Sequence, residues 1–261
     1  MKTPLLIAAI LSGLTLSGCK DEDTSGIALP NCPGTSFAKE AMVFNVVAIC
    51  ATSGVPDEKL AHAANVTAEW LDNDGDGIAD EPRLIEALET SQPFLVMTKN
   101  AITDAVIESL MPALETRVGQ DLFAGETNPS LGRRDASQEE IHHLIMNAGW
   151  KVAFPDLFNP EPGSRMFAEW EKAEAEGHYF YDDPTCNANC KSVEFFYLAT
   201  AAYLGSDADL SSDEMRLKDR AALTAALPGT VALMENSAYN YPLDHWPTGN
   251  YAHSANISYS P

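Results

Sequence analysis

The chain has 261 residues, with 38 acidic against 16 basic side chains and a formal charge of −22 at neutral pH. A field of that sign repels phosphate, which argues against nucleic acid as a partner, and it concentrates divalent cations. No stretch beyond the first twenty residues approaches the run of about eighteen apolar side chains that a membrane-spanning helix needs.

Met1-Lys2, an apolar run from Leu5 to Leu16 and the sequence Leu16-Ser-Gly-Cys19 open the chain. The run is too short to span a bilayer. The arrangement resembles a bacterial lipoprotein signal, and the resemblance implies that residues 1–18 are removed and that Cys19 carries the lipid. In lipoproteins of this kind an aspartate just after the cysteine favours retention at the inner membrane. Lys20 stands there instead, followed by Asp21-Glu22-Asp23, so the implied address is the cell envelope, lipid-anchored at the outer membrane on its periplasmic or surface face. Loss of residues 1–18 takes away Lys2 and no acid, leaving 15 basic against 38 acidic residues, a charge of −23.

A polar tether over residues 19–36 then leads into 37–261, about 225 residues with no internal repeat, which is enough for a single globular domain with a proper core. Besides Cys19 there are four cysteines, an even number for an oxidising compartment, and they allow three pairings. The expected pairs are Cys32 with Cys50 and Cys186 with Cys190. A lone C-x3-C lacks the doubled spacing of a zinc ribbon, so a staple of the loop Thr185–Cys190 is favoured over a metal site.

Ala41 to Ile49 is rich in valine and reads as one buried strand. Leu60, Ala64, Ala68 and Leu71 recur at helical spacing and run directly into Asp72-Asn-Asp-Gly-Asp-Gly-Ile-Ala-Asp80. Carboxylates at loop positions 1, 3, 5 and 9, with Gly77 at position 6 for the sharp turn, suit a hard cation that wants six to eight oxygens. Asp72, Asp74, Asp76 and Asp80 would supply side chains, and Ile78 its carbonyl. Without a cation four carboxylates in nine residues would repel one another. The pattern resembles EF-hand, dockerin and thrombospondin type 3 loops, and the resemblance implies bound calcium in a structural role. Position 12, a bidentate glutamate in EF-hands, is Arg83 here. The remaining ligands must therefore come from Glu81, Glu86, water or a distant residue.

Pro82 opens a helix carrying Leu84, Ile85 and Leu88. Phe94–Thr98 reads as a strand, residues 101–116 as an amphipathic helix, and Val118–Arg134 as irregular. Ser164 to Gly177 is a helix with Met166, Phe167 and Trp170 inside, opened by a capping serine and closed by glycine. Ser192 to Gly205 is apolar nearly all round and predicts a buried central helix. Ser212 opens another helix reaching about Leu227, and the tail after Ser237, with Tyr239, Tyr241, Trp246 and Tyr251, reads as an extended segment on the surface. The fold class is α+β, mostly helical with a small sheet.

The helix over Ser137–Gly149 contains Glu139-Glu-Ile-His-His143. Glu139 and His143 are four apart and share one helix face, so both can grip one ion. The pattern resembles the H-E-x-x-H active-site helix of zincin metallopeptidases with glutamate in place of the first histidine. The resemblance implies a zincin-like architecture, Glu140 as general base and a third ligand from a downstream helix. Glu194 in Val-Glu-Phe-Phe-Tyr fits that place, since a carboxylate among apolar neighbours needs a cation or strong hydrogen bonds. Two carboxylates and one imidazole would hold zinc or another divalent transition metal, and the substrate or partner would be a peptide or protein. Two other readings stay open. Glu139 and His142 form the E-x-x-H pair of carboxylate metal sites in helical bundles, and Ser137 with Glu140 forms a capping box that needs no metal. The expected function is a calcium-binding cell-envelope lipoprotein on a metallopeptidase-like scaffold without catalysis; the alternative is a metal-dependent peptidase or hydrolase with Glu139, His143 and Glu194 as ligands and Glu140 as general base.

Overall fold

The computed structural model describes Leu29 and residues 31–129 and 133–260. Cys19, the signal and most of the tether lie outside the described residues. Within residues 31–36, Cys32 and Pro33 are buried and Gly34 and Thr35 are exposed. Cys32 is disulfide-bonded to Cys50, and Asn31 donates to the buried Glu40 carboxylate.

Two short strands, β1 (Lys39–Val43) and β2 (Val47–Ala51), pair antiparallel. The expectation of a single strand over 41–49 is thus corrected to a hairpin. Phe44 and Asn45 both have positive φ (49° and 58°), and the Val46 amide closes the turn on the Val43 carbonyl at 3.0 Å. Asn45 is the one turn-forming residue in an unbroken apolar run, too slight a signal to read through its neighbours.

From the hairpin the chain runs through α1 (Asp57–Leu71), the acidic loop and α2 (Pro82–Ser91) to β3 (Phe94–Thr98), then α3 (Asp104–Leu114) and β4 (Gly119–Phe123). β4 lies inside the stretch read as irregular. Its one fully buried side chain, Leu122, leaves almost no apolar alternation to detect. β2, β3 and β4 are mutually parallel, and the sheet order is β4-β3-β2-β1-β5. β5 (Ile257–Ser260) comes from the tail and pairs antiparallel with β1.

Alternation along the central strands builds two cores. Ala48, Cys50, Phe94 and Val96 face α3 in a small cluster, whereas Val47, Ile49, Leu95 and Met97 face the large helical core. That core is filled by α1, by α4 (Ala136–Ile145), which runs through a π-turn at Met146–Trp150 into α5 (Lys151–Ala153), and by α8 (Ala188–Leu204). Between them lie α6 (Pro155–Phe158) and α7 (Arg165–Ala175). Ser164 caps α7 by accepting from the Phe167 amide, and Gly177 follows at φ 72°.

Three further boundaries differ from expectation. α8 starts four residues before Ser192, because Asn187 caps it and the Cys186–Cys190 disulfide closes its first turn. The helix expected from Ser212 begins only at Arg220; it ends near Leu227 as expected, giving α9 (Arg220–Ala226), and Pro228, which cannot continue the hydrogen-bond ladder, opens a separate α10 (Pro228–Met234). The tail is not confined to the surface. Tyr239 and Tyr241 are buried among Trp150, Phe158 and Phe196 before the chain emerges.

Candidate functional site

Two clusters of metal-ligating side chains converge among the described residues: Asp72, Asp74 and Asp80 in one, and Glu139, His143 and Glu194 in the other. Within each, one ligand atom per residue lies within 4.8 Å of the others.

The first cluster sits where α1 ends. Asp72 accepts from the Asp76 and Gly77 amides at 3.1 and 2.9 Å, which wraps the loop around its own carboxylate. Gly77 has φ 92°, and a side chain there would strike His253. The Asn73 amide donates to Asp80 Oδ2 at 2.8 Å. Burial pushes the Asp80 carboxyl up to about 6, helped by the neighbouring charges of Asp74, Asp72 and Asp244.

Asp76 lies outside the converging three, with its Oδ1 accepting from the Ile78 amide at 2.8 Å, and the Ile78 side chain is exposed. Glu81 is no ligand. It caps α2 through the Arg83 amide, pairs with the Arg83 guanidinium and accepts from Asn240. Glu86 points to solvent on α2. Asp244 lines a cleft of about 510 Å³ together with Asp74, Asp76 and Asp80.

The second cluster is built by α4 and α8. Asp135 caps α4: its Oδ1 accepts from the Ser137 amide and hydroxyl at 3.1 and 2.7 Å and from the Asn128 amide at 2.9 Å, while His62 holds Oδ2 at 2.6 Å. Burial works against ionisation of Asp135, but the bonds from His62, Ser137 and Asn128 hold its carboxyl below the usual range. The Ser137–Glu140 capping box is therefore overturned. The helix begins two residues earlier than that motif requires, Ser137 lies inside the first turn, and Glu140 accepts instead from Gln120 Nε2 of β4 at 2.5 Å.

Glu139 and His143 share the inner face of α4, and both are more than nine-tenths buried. His143 Nε2 faces Glu194 Oε2 at 3.5 Å, while its Nδ1 edge is 3.9 Å from Glu140 Oε2. His143 Nε2 makes no hydrogen bond, whereas Glu139 Oε2 meets the Arg134 guanidinium. The Arg134 guanidinium lies against Glu139 and reaches Asp209 at 3.3 Å. Asp209 is itself held by Tyr197 and Ser206, each at 2.6 Å.

His142 takes a different part. Its Nε2 meets the Tyr241 hydroxyl at 2.9 Å, which continues to Thr200 at 2.8 Å, and its ring packs edge-on against Trp70. It lies outside the converging three, so the Glu139–His142 pairing is not the one that α4 presents.

The charges around His143 are poorly balanced. Glu139, Glu140, Glu194 and Asp209 surround a single guanidinium, that of Arg134. Burial pushes both Glu140 and Glu194 up to about 7; the Glu194 charge adds to this for Glu140, and Glu214 and Asp183 add to it for Glu194. Burial, with Arg134 nearby, pulls His143 down to about 4, so its imidazole is neutral and able to act as a ligand.

Arg134, Gln120, Asp209 and Asp244 were not singled out from the sequence. Arg134 and Gln120 fall in the stretch read as irregular, and nothing local marks Asp209 or Asp244 as partners of residues so far away in the chain. No protein-family model, curated protein or solved structure matches the chain.

Proposed function

We propose that the chain is a calcium-stabilised metallohydrolase of the bacterial envelope, with Glu139, His143 and Glu194 holding a divalent transition metal. The observation that carries this reading is the buried His143 Nε2, which makes no hydrogen bond and converges with Glu139 and Glu194 in a pocket of excess negative charge. A buried imidazole nitrogen without a partner is costly, and a cation would partner it while balancing the surrounding carboxylates. The donor set of two carboxylates and one imidazole suits zinc or a harder divalent ion.

A cation held there would act as a Lewis acid and make water a better nucleophile at neutral pH. Glu140, beside His143, would take a proton from that water, with Gln120 fixing Oε2, the oxygen that faces His143. Neutral His143 stays a ligand instead of competing for the proton. A zincin-like architecture and peptide substrates follow from the resemblance of the Glu139–His143 helix to the metallopeptidase motif.

A second reading rests on Arg134. Its guanidinium already pairs with Glu139, and a cluster neutralised in this way would need no metal. The chain would then be a calcium-bound scaffold without catalysis. Elemental analysis after zinc reconstitution separates the two readings. One equivalent retained by wild type and lost by His143→Ala supports the metal centre; no transition metal in wild type, with no cleavage of a broad peptide library, leaves the Arg134 reading standing.

Location follows from the N-terminal sequence. A lipid on Cys19 would tether the protein to the outer membrane. Incorporation of labelled fatty acid into wild type but not Cys19→Ser is the expected result, and an unlabelled wild type would remove the anchor.

A further inference from the structure

We infer that the C-terminal strap, Tyr241–Asn256, couples the two centres, so that calcium at the 72–80 loop tightens binding of a transition metal by Glu139, His143 and Glu194. The inference rests on the metal reading above and adds to it a regulatory input.

Residues 241–253 of the strap form no helix or strand, so side-chain ties alone hold them in place. At one end those ties go to the acidic loop. Tyr251 donates to Asp72 Oδ2 at 2.5 Å, His253 meets the Gly75 carbonyl at 2.8 Å, and Asn256 donates to the Gly77 carbonyl at 3.0 Å. Asn73 adds a hold from inside the loop, accepting from the Asp244 and His245 amides and donating to the His245 carbonyl. Asp244, carried by the strap, faces the same cleft as Asp74 and Asp80.

At the other end the strap grips the metal helix. Tyr241 bonds His142, the neighbour of His143, and Thr200 on α8, the helix that carries Glu194. Gln138, next to Glu139, donates to the Pro247 carbonyl at 2.6 Å. Trp246 stands edge-on to Trp70 at 5.5 Å, and Trp70 both donates to the Gln138 carbonyl and packs on His142. Midway, the buried Glu69 carboxylate accepts from the Thr248 and Gly249 amides at 2.8 and 2.6 Å. Gly249, at φ 76°, passes so close to His62, which braces the Asp135 cap of α4, that a β-carbon would overlap the imidazole.

One continuous segment therefore takes its shape from the loop and lends its contacts to α4 and α8. Without calcium, Asp72, Asp74, Asp80 and Asp244 repel one another across the loop and the strap. The loop carbonyls and Asp72 that anchor the strap lose their fixed positions, and the holds on His142, Gln138 and Trp70 loosen with them. Calcium restores those anchors, which brings Glu139, His143 and Glu194 into register before the second metal arrives. Thermodynamic linkage requires the effect to run both ways by one factor.

The test measures zinc affinity of the intact folded protein by chelator competition, with and without saturating calcium, and calcium affinity with and without zinc. The expected result is a tightening of between about 5- and 150-fold, equal in the two directions. Tyr251→Phe and Trp246→Ala leave every proposed ligand in place, and each should bring the factor towards one while both ions still bind. Circular dichroism checks that these variants remain folded, and the fluorescence of Trp70 and Trp246 should change on calcium addition in wild type. Zinc and calcium binding independently in wild type would overturn the coupling and leave the metal centre intact. So would a full factor retained by both variants. Zinc failing to bind even in calcium-saturated protein would overturn the metal centre itself and the coupling with it.

Discussion

The two carboxylate clusters differ in where their ligands come from and in what surrounds them. The three converging acids of the acidic loop lie within nine residues, each within reach of backbone amides, and the site opens onto a cleft. The second cluster draws on two helices, is largely buried, and leaves His143 Nε2 without a hydrogen bond. A local, hydrated, all-oxygen site is suited to calcium and to structural work. A buried site with a neutral imidazole and a neighbouring carboxylate near pH 7 is suited to chemistry.

The contrast is sharpest in the substitutions that should touch one site only. Glu140→Gln should lower turnover by roughly 10²- to 10⁴-fold with the metal retained, if Glu140 is the base. Should the substitution weaken metal binding instead, by roughly 10- to 100-fold, Glu140 acts by orienting His143 through Nδ1. Plasma mass spectrometry alongside peptide turnover reads both. Glu139→Gln should empty the transition-metal site and leave calcium content unchanged, and loss of both ions together would erase the distinction between the clusters.

Calcium removal should act on stability. At one hundred times its dissociation constant calcium adds about 2.7 kcal/mol, which for a domain of this size is worth roughly 5–10 °C of melting temperature. Chelator should lower the wild-type melting temperature by that order and leave Asp74→Ala unaffected; coincident wild-type curves would refute the calcium assignment.

A smaller effect is expected from pH. The Asp80 carboxyl stands near 6 in the calcium-free fold, above its usual value, so protonation favours that fold as pH drops through 6 and competes with calcium. Calcium affinity should fall roughly fourfold between pH 7.5 and 5.5 from this group alone. Titration calorimetry at the two values checks it, and an affinity independent of pH would place Asp80 outside the ligand set.

The smallest effect concerns the helix start. Asp135→Ala should cost about 1 kcal/mol as a lost cap. It also strips His62 of its partner, so a larger loss in urea titrations would measure the His62 contact. Ser137→Ala, by contrast, should cost little, because the cap is Asp135.

Spacing alone made the acidic loop legible, since a tight loop brings alternate side chains together whatever the rest of the chain does. The same holds for Glu139 and His143, because 3.6 residues per turn place positions four apart on one face. Glu194 could be named because the metallopeptidase resemblance implies a third ligand on a downstream helix, and its apolar neighbours make an unpaired carboxylate expensive. The pairing of Cys32 with Cys50 and Cys186 with Cys190 likewise agrees with the structure.

Other assignments needed the packed molecule. The hairpin at Phe44–Asn45 and strand β4 are stabilised by neighbours in the sheet and not by patterns of their own. Which of His142 and His143 turns to the ligands was decided by Tyr241, about a hundred residues away in the chain, because it offers His142 a buried hydroxyl. Asp135 displaced Ser137 as the cap because His62 and Asn128 reach it from other elements. Asp244 and Arg134 join the clusters only through chain folding. Local geometry thus determined which side chains could act together, while long-range packing decided which of them meet, because burial sets the cost of every unpartnered polar atom and only the folded chain sets burial.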